Sequence, residues 1–426
     1  MTSSSSNSGD PQPPGPLAGL RVLELADEKG QFCGKLMGDL GADVIKIEPP
    51  SGEKTRRVGP FLDDIPHWER SLSFWHYNTS KRGITLNLES ADGQALFRRL
   101  AANADIILET RDPGYLPSLS LGYEELSALN PRLIMCSLTP FGQSGPWRDY
   151  KTSDLLHLGG GGQMASSGYD PEDVADAPPI APGGGNAWHI AAHYAYMGIL
   201  SSLYFRDMTG EGQYIDASVH EACALTTEGA IAIYLASGEV VSRHTGRHAA
   251  VGSSTKIQLA TQDGSWVNVT RSGSNLTPAR LRLLAEWMDE HGMAQDLMDD
   301  KYRDASYIQE NADHTTEVLA NFFASMPQED MWRGGQERDF PWGAIRSMDE
   351  LVGDEHLEDR KFFVEVEHPE LGRSFTYPGA AAIYNGSPWR ISRRAPLPGE
   401  HNEEILCGEL GLAKQELTLL AESGVI

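Results

Sequence analysis

The chain has 426 residues, 40% of them apolar, and a formal net charge of -25. That length exceeds one ordinary domain, so two are expected, and the apolar content rules out wholesale disorder. So acidic a chain repels phosphate backbones and anionic lipid surfaces, which argues against nucleic acid or membrane as the main partner.

The first 15 or so residues are rich in Ser, Pro and Gly and lack the basic start and apolar run of a signal peptide, so they are expected to form a disordered tail. Arg21–Ala26 (RVLELA) is a short apolar run of strand type, and Gly30–Leu40 follows with Cys33, Leu36, Met37 and Leu40 at helical spacing. Gly41 then stands where a helix C-cap glycine belongs. Ala42–Glu48 and Gly83–Leu88 are predicted strands, and Ser90 is placed to cap a helix carrying Leu96, Phe97 and Leu100. Strands are predicted at 105–110 and 132–139, with a short helix over Tyr123–Leu129 between them. From about residue 186 the pattern turns helical. Ala187–Phe205 and Asp216–Ser237 are both predicted as buried helices. Short strands around the Asp263-Gly264 turn, helices from 278 to 326, mixed strands and a last helix from Lys414 complete the chain. No segment has the roughly 20 apolar residues of a membrane span.

Strands joined by helices imply a parallel sheet with right-handed crossovers, and such sheets bind ligands beyond the carboxyl ends of their strands. Chemistry is therefore expected just after residues 26, 48, 110 and 139. The basic residues Lys46, Lys54, Arg56, Arg57, Lys81 and Arg82 fall after the second strand and before the third, a pattern that suits an anion but also an ordinary solvated face. Gly159–Gly162, followed by Gln163, has neither P-loop nor dinucleotide spacing, and a close helix crossing is its plainer reading. Asp154, after Thr152 and Ser153, is either a helix-start residue or a carboxylate nucleophile in the crevice beyond the strand ending at Thr139. His157, His189, His193 and His220 lie in apolar surroundings, where core histidines are the commoner case. The four cysteines have no metal or redox spacing, and no His-Glu-x-x-His or Gly-x-Ser-x-Gly occurs, so hydrolase and metalloenzyme chemistry lacks support and no metal is expected. Scattered cysteines fit a reducing cytoplasm.

Taken together, LAGLRVLELA (17–26), GDLGADVIKIEPPSGEKTR (38–56), YNTSKRGITLNL (77–88), DIILETRDPGYL (105–116), NPRLIMCSLTPFGQSGP (130–146), RDMTGEGQYIDASVHE (206–221), DEHLEDRKFFVEVEHPELGR (354–373) and APLPGEHNEEIL (395–406) resemble the class III CoA-transferases, the CaiB–BaiF family. The resemblance implies an α/β protein with a large Rossmann-like domain and a smaller α+β domain. The implied boundaries are a tail at 1–16, the first part of the large domain at 17–215, a linker helix and small domain at 216–365, and a return segment at 366–426. It also implies an interlocked dimer, either a homodimer or a heteromer with a homologous subunit. Its substrates would be acyl-CoA and a small carboxylic acid. Asp154 would attack the thioester, giving a mixed anhydride and then an aspartyl-CoA thioester. Coenzyme A contacts carry over to Ala26 and Gln31 in the turn after the first strand and to Lys46 on the second. Asn78, Lys81 and Arg82 would serve before the third strand, and Glu109, Arg111 and Gly114 after the fourth. Lys81, Arg82 and Arg111 are the expected phosphate contacts.

The sequence departs from the family pattern at three places. Ser118 stands where an Arg is common. Asp27-Glu28-Lys29-Gly30-Gln31 replaces a turn that often carries Gly-Pro, which points to the benzylsuccinate CoA-transferase-like branch. Arg247–Ser254 stands where a flexible glycine loop is usual. Ser153 ahead of Asp154, where racemases of the family commonly carry His, favours transfer over proton abstraction. A racemase or isomerase, or a non-catalytic subunit of a heteromeric transferase, are the alternatives.

Overall fold

A computed structural model of the chain describes residues 13–170, 173–252, 256–269 and 276–426. Most of the expected tail, and positions 253–254 of the expected loop, lie outside the described residues. Two compact units emerge, one from residues 1–161, 183–225 and 355–426, the other from 162–182 and 226–354.

The first unit is built on six parallel strands in the order β3-β2-β1-β4-β5-β6. They are β1 (Arg21–Leu25), β2 (Asp43–Glu48), β3 (Lys81–Thr85), β4 (Ile106–Glu109), β5 (Ile134–Thr139) and β6 (Tyr214–Ser218). β4 and β5 are buried along their whole length, as largely apolar runs covered on both faces should be, and β3 is buried as well although Lys81 and Arg82 open it. Helices α1 (Gln31–Asp39), α2 (Leu72–Tyr77), α3 (Ala91–Ala101), α4 (Tyr115–Ser118) and α5 (Tyr123–Leu129) lie in sequence between the first five strands. The Ser90 hydroxyl caps α3 by accepting the Gly93 N–H at 3.0 Å. Gly41 ends the α1 turn at φ +100, where a Cβ would lie 3.0 Å from the Gly15 Cα, so the position requires glycine.

Strand order reverses between β1 and β4, which opens a crevice at their carboxyl ends. Helices α6 (Asp154–Gly160), α7 (Asn186–Thr209) and α8 (Val219–Leu225) follow β5 and flank β6. The return segment carries a hairpin, β10 (Phe363–His368) and β11 (Arg373–Pro378), and ends in α15 (Lys414–Glu422). It is tied in by charge and by packing. Arg56, 2% exposed, holds Glu48 through two 2.6 Å hydrogen bonds and donates to the Pro396 carbonyl at 2.7 Å. Ile405 and Val425 complete the apolar core around Leu23, Ile45 and Ile107.

The second unit is an α+β assembly. Its antiparallel sheet is β7 (Gln258–Ala260), β8 (Trp266–Val269) and β9 (Trp342–Ala344), and its helices are α9 (Ala230–Ser237), α10 (Pro278–Glu290), α11 (Ala305–Glu310), α12 (Ala312–Phe323) and α13 (Gln328–Glu337). Its core gathers Leu281, Met288, Phe322, Phe323 and Trp342.

Two sequence expectations are corrected. Asp216–Ser237 is not one buried helix: its first residues complete β6, which pairs in parallel with β5, and the rest is divided between α8 and α9. α9 has no buried residue, so its apolar composition does not make it core. Lys81 and Arg82 do not lie in a loop either. They open β3, because its ladder with β2 begins at Lys81 opposite Val44. Among the described residues no helix is long and apolar enough to cross a membrane.

Candidate active site

The turn after β1 and the segment after β4 clasp each other across the crevice. The Thr110 hydroxyl accepts the Asp27 N–H at 2.9 Å and donates to the Asp27 carboxylate at 2.8 Å. Lys29 and Lys54 reach the other carboxylate oxygen at 2.5 and 3.0 Å. Burial alone would raise the Asp27 carboxyl, but these two ammoniums outweigh it and hold it at about 2. Lys54 also meets Glu28 at 3.1 Å, so its charge is already shared by two acids.

Beyond this clasp lies a cleft of about 580 Å³, walled by Phe32, Tyr77, Trp188 and His189, with Lys54 and Glu28 among its other lining residues. The Tyr77 hydroxyl and His189 Nε2 are 2.7 Å apart. Phe32 packs on both rings, 4.5 Å from the centroid of His189 and 6.0 Å from that of Tyr77. Burial, aided by His193, lowers the His189 pKa against the pull of Asp154, and burial together with the Asp154 charge raises that of Tyr77. Both side chains are therefore neutral near pH 7, a hydrogen-bonding pair rather than an ion pair.

Asp154 is the first residue of α6, half-buried, behind the Ser153 N-cap whose hydroxyl accepts the Leu156 N–H at 3.2 Å. Its Oδ1 accepts the Ala187 N–H at 2.8 Å, in the first turn of α7. The carboxylate thus sits where two helices begin, within electrostatic reach of Tyr77 and His189, and the same first turn of α7 carries Trp188 into the cleft wall. The Ala187 N–H engages Oδ1 alone, leaving Oδ2 as the second oxygen of the carboxylate.

The other expected site residues fall into two groups. Gln31 lines the cleft, and Gly114 caps the start of α4 at φ +84, a backbone conformation that favours glycine. Arg111 comes no closer to a carboxylate than 3.9 Å, at Glu53, and its buried Nε has no hydrogen-bond partner, so it is a cation with unused donors at the crevice. Glu109 is pushed up to about 7 by burial, against hydrogen bonding from Ser137 and the Arg111 N–H. Ala26, at the start of the turn, and Lys46, Asn78 and Lys81, beneath it, are buried. Arg82 faces Asp43, Glu404 and Glu409, all within 2.8 Å, and joins β2 and β3 to the return segment. Neither Lys81 nor Arg82 presents a free cation to solvent.

Tyr77 and Trp188 stand in the cleft wall, whereas Trp75 is core, its ring 4.2 Å from that of His368, and Tyr150 is exposed. His189, expected in the core, is in the cleft wall, whereas His157 is buried with its Nε2 2.6 Å from the Thr152 hydroxyl. Phe32 and the Asp27–Lys54 clasp were not singled out. The only sequence signal for them was the charged turn itself. Gly161 marks a close helix approach, since a Cβ there would lie 2.5 Å from the Cys223 Cβ. Among the described residues no cluster of His, Cys, Asp or Glu could hold a metal ion.

Residues 17–402 match the sequence profile described as CoA-transferase family III. A subunit of succinyl-CoA:(R)-benzylsuccinate CoA-transferase from Thauera aromatica is 34% identical over 413 residues, 95% of this chain and 97% of that protein. Succinyl-CoA–D-citramalate CoA-transferase from Chloroflexus aurantiacus is 33% identical over 425 residues, 97% of this chain and 99% of that protein. The crystal structure of a CaiB/BaiF family protein from Brucella suis superposes with a TM-score of 0.78 at 26% identity, covering 93% of this chain and all of that one (100%).

Proposed function

The chain belongs to CoA-transferase family III, and from that premise we propose that it moves CoA from an acyl-CoA donor to a carboxylic acid acceptor through a covalent intermediate on Asp154. The observation that carries this reading is the Asp154 carboxylate, anchored at Oδ1 by the Ala187 N–H beside the aromatic cleft. In the proposed sequence Oδ2 attacks the thioester carbonyl carbon, the C–S bond breaks and CoA leaves as thiolate, giving a mixed anhydride. The thiolate then attacks the aspartyl carbonyl carbon and displaces the donor's carboxylate, leaving an aspartyl-CoA thioester. The acceptor carboxylate attacks that thioester carbonyl, the C–S bond breaks to release the thiolate and leave a second mixed anhydride, and the thiolate then attacks the acceptor's acyl carbon and displaces Asp154 as carboxylate. The Ala187 N–H already points at the aspartyl oxygen on which negative charge builds when CoA attacks, so it stabilises that oxyanion without reorganisation. Arg111 is the proposed phosphate contact, and the Ala26–Gln31 turn with Gly114 frames the CoA path.

A second reading, a supporting subunit in a heteromer, draws on the same hydrogen bond, because Asp154 also serves as a cap for α7. The Thauera relative is itself named as one subunit of its enzyme. The purified chain, given succinyl-CoA and a panel of carboxylic acids with thioesters read by mass spectrometry, separates the two. Exchange by the chain alone supports the first reading. Exchange only after addition of a homologous subunit supports the second.

A further inference from the structure

Two lysines that the family resemblance assigns to CoA, Lys46 as a contact and Lys81 as a phosphate contact, have a different geometry. Glu24 on β1 is fully buried and holds two ammoniums, Lys46 from β2 at 3.1 Å and Lys81 from β3 at 2.7 Å. Each lysine spends a further donor on the main chain of the cleft-forming turn. Lys46 Nζ donates to the Ala26 carbonyl at 2.8 Å, and Lys81 Nζ to the Gln31 carbonyl at 2.8 Å. Lys81 Nζ also donates to Asn78 Oδ1 at 3.0 Å, and its side chain, enclosed by Glu24, Asn78 and the Gln31 carbonyl, is 0% exposed, so it offers no surface to a phosphate.

We infer that Lys46 and Lys81 are positioning residues, which fix the two ends of the Ala26–Gln31 turn from beneath so that it presents its cleft face to acyl-CoA. This rests on the reading of that cleft as the CoA site. The two carbonyls bracket the turn, and both lysines pull on one carboxylate, so the turn is locked to the sheet at both ends by charge-assisted hydrogen bonds in a medium without water. Gly34 belongs to the same device, for a Cβ there would fall 1.6 Å from Glu24 Oε2. Lys35, the next buried lysine, is separate: it pairs with Asp39 at 2.8 Å and with Thr79, and does not touch the turn.

Because one carboxylate serves two lysines, Lys81→Met leaves a neutral Glu24–Lys46 pair and a chain that can fold. Lys46→Met leaves the complementary pair and stands in if the first variant is poorly soluble. The test measures Kd for CoA by calorimetry and amide hydrogen exchange over residues 26–31, with Lys35→Met as the control for loss of a buried lysine elsewhere. Lys81→Met is expected to weaken CoA binding about tenfold or more, the loss of one charge-assisted hydrogen bond to the turn, and to speed exchange there. Lys35→Met is expected to lower thermal stability and leave both readouts unchanged. Unchanged exchange and affinity in both turn-lysine variants would overturn the inference, as would equal effects in Lys35→Met. A wild-type chain that binds no CoA overturns the functional reading instead, while the exchange data still judge the role of the lysines.

Discussion

Replacing Asp154 separates its two possible roles, because a cap and a nucleophile need different things from the side chain. Asn keeps an Oδ1 that can still accept the Ala187 N–H at 2.8 Å, but it offers no anionic oxygen. Its stability cost is the lost attraction of a carboxylate to helix N-termini, about 0.3–1 kcal/mol. Ala loses that attraction and also the cap on α7, a further 0.5–2 kcal/mol or about 1 in the middle of the range. At about 2–4 °C per kcal/mol, Asp154→Asn melts about 1–4 °C below the parent and Asp154→Ala about 2–4 °C lower still. Activity behaves otherwise: both variants lose the covalent step and fall by about 10³-fold or more. Differential scanning calorimetry and chromatographic quantitation of acyl-CoA exchange, on the same samples, give the two axes. An Asp154→Asn protein that exchanges CoA at the parent rate would refute the reasoning and leave Asp154 as a cap alone.

Glu109 gives a pH test. Its pKa is raised to about 7 in the folded chain, so the folded state holds this proton more tightly than the unfolded one, and the associated stability, present at acid pH, is lost as pH rises through about 7. Glu109→Gln removes that loss and should gain on the parent by up to about 3 kcal/mol between pH 5 and pH 8 in thermal melts; a pH-independent difference would count against it. Arg56→Met leaves Glu48 buried without its guanidinium and the two 2.6 Å hydrogen bonds it makes, and urea titration should read a loss of about 3–5 kcal/mol. Gly34→Ala forces α1 off Glu24 and should cost about 1–3 kcal/mol by the same titration.

The sheet was legible where a strand is buried on both faces, because a run such as IMCSLT in β5 has few other uses. β6 was not, because it is the edge strand: its Tyr-Ile-Asp-Ala-Ser alternates between exposed and half-buried positions and merges with the apolar run that follows. The start of β3 was hidden for a different reason. Two cations opening a strand look like a loop until Glu24 and the Asp43–Glu404–Glu409 group neutralise them, and those partners are set by the fold rather than by spacing. In the site, Asp154 was legible as a carboxylate after β5, with both of its roles open. The Tyr77–His189 contact was not, because its members stand 112 residues apart and His189 lies in none of the segments that carry the resemblance. The basic pattern around residues 46 and 81–82 was visible, but charge alone does not tell an ammonium facing a ligand from one buried under a turn.

Covalent capture at Asp154 tests the central claim most directly. The chain is incubated with succinyl-CoA and hydroxylamine, digested and mapped by tandem mass spectrometry. An aspartyl hydroxamate at residue 154, dependent on succinyl-CoA, is the predicted result. Sustained CoA exchange with residue 154 unmodified, or with the hydroxamate on another carboxylate, would contradict it.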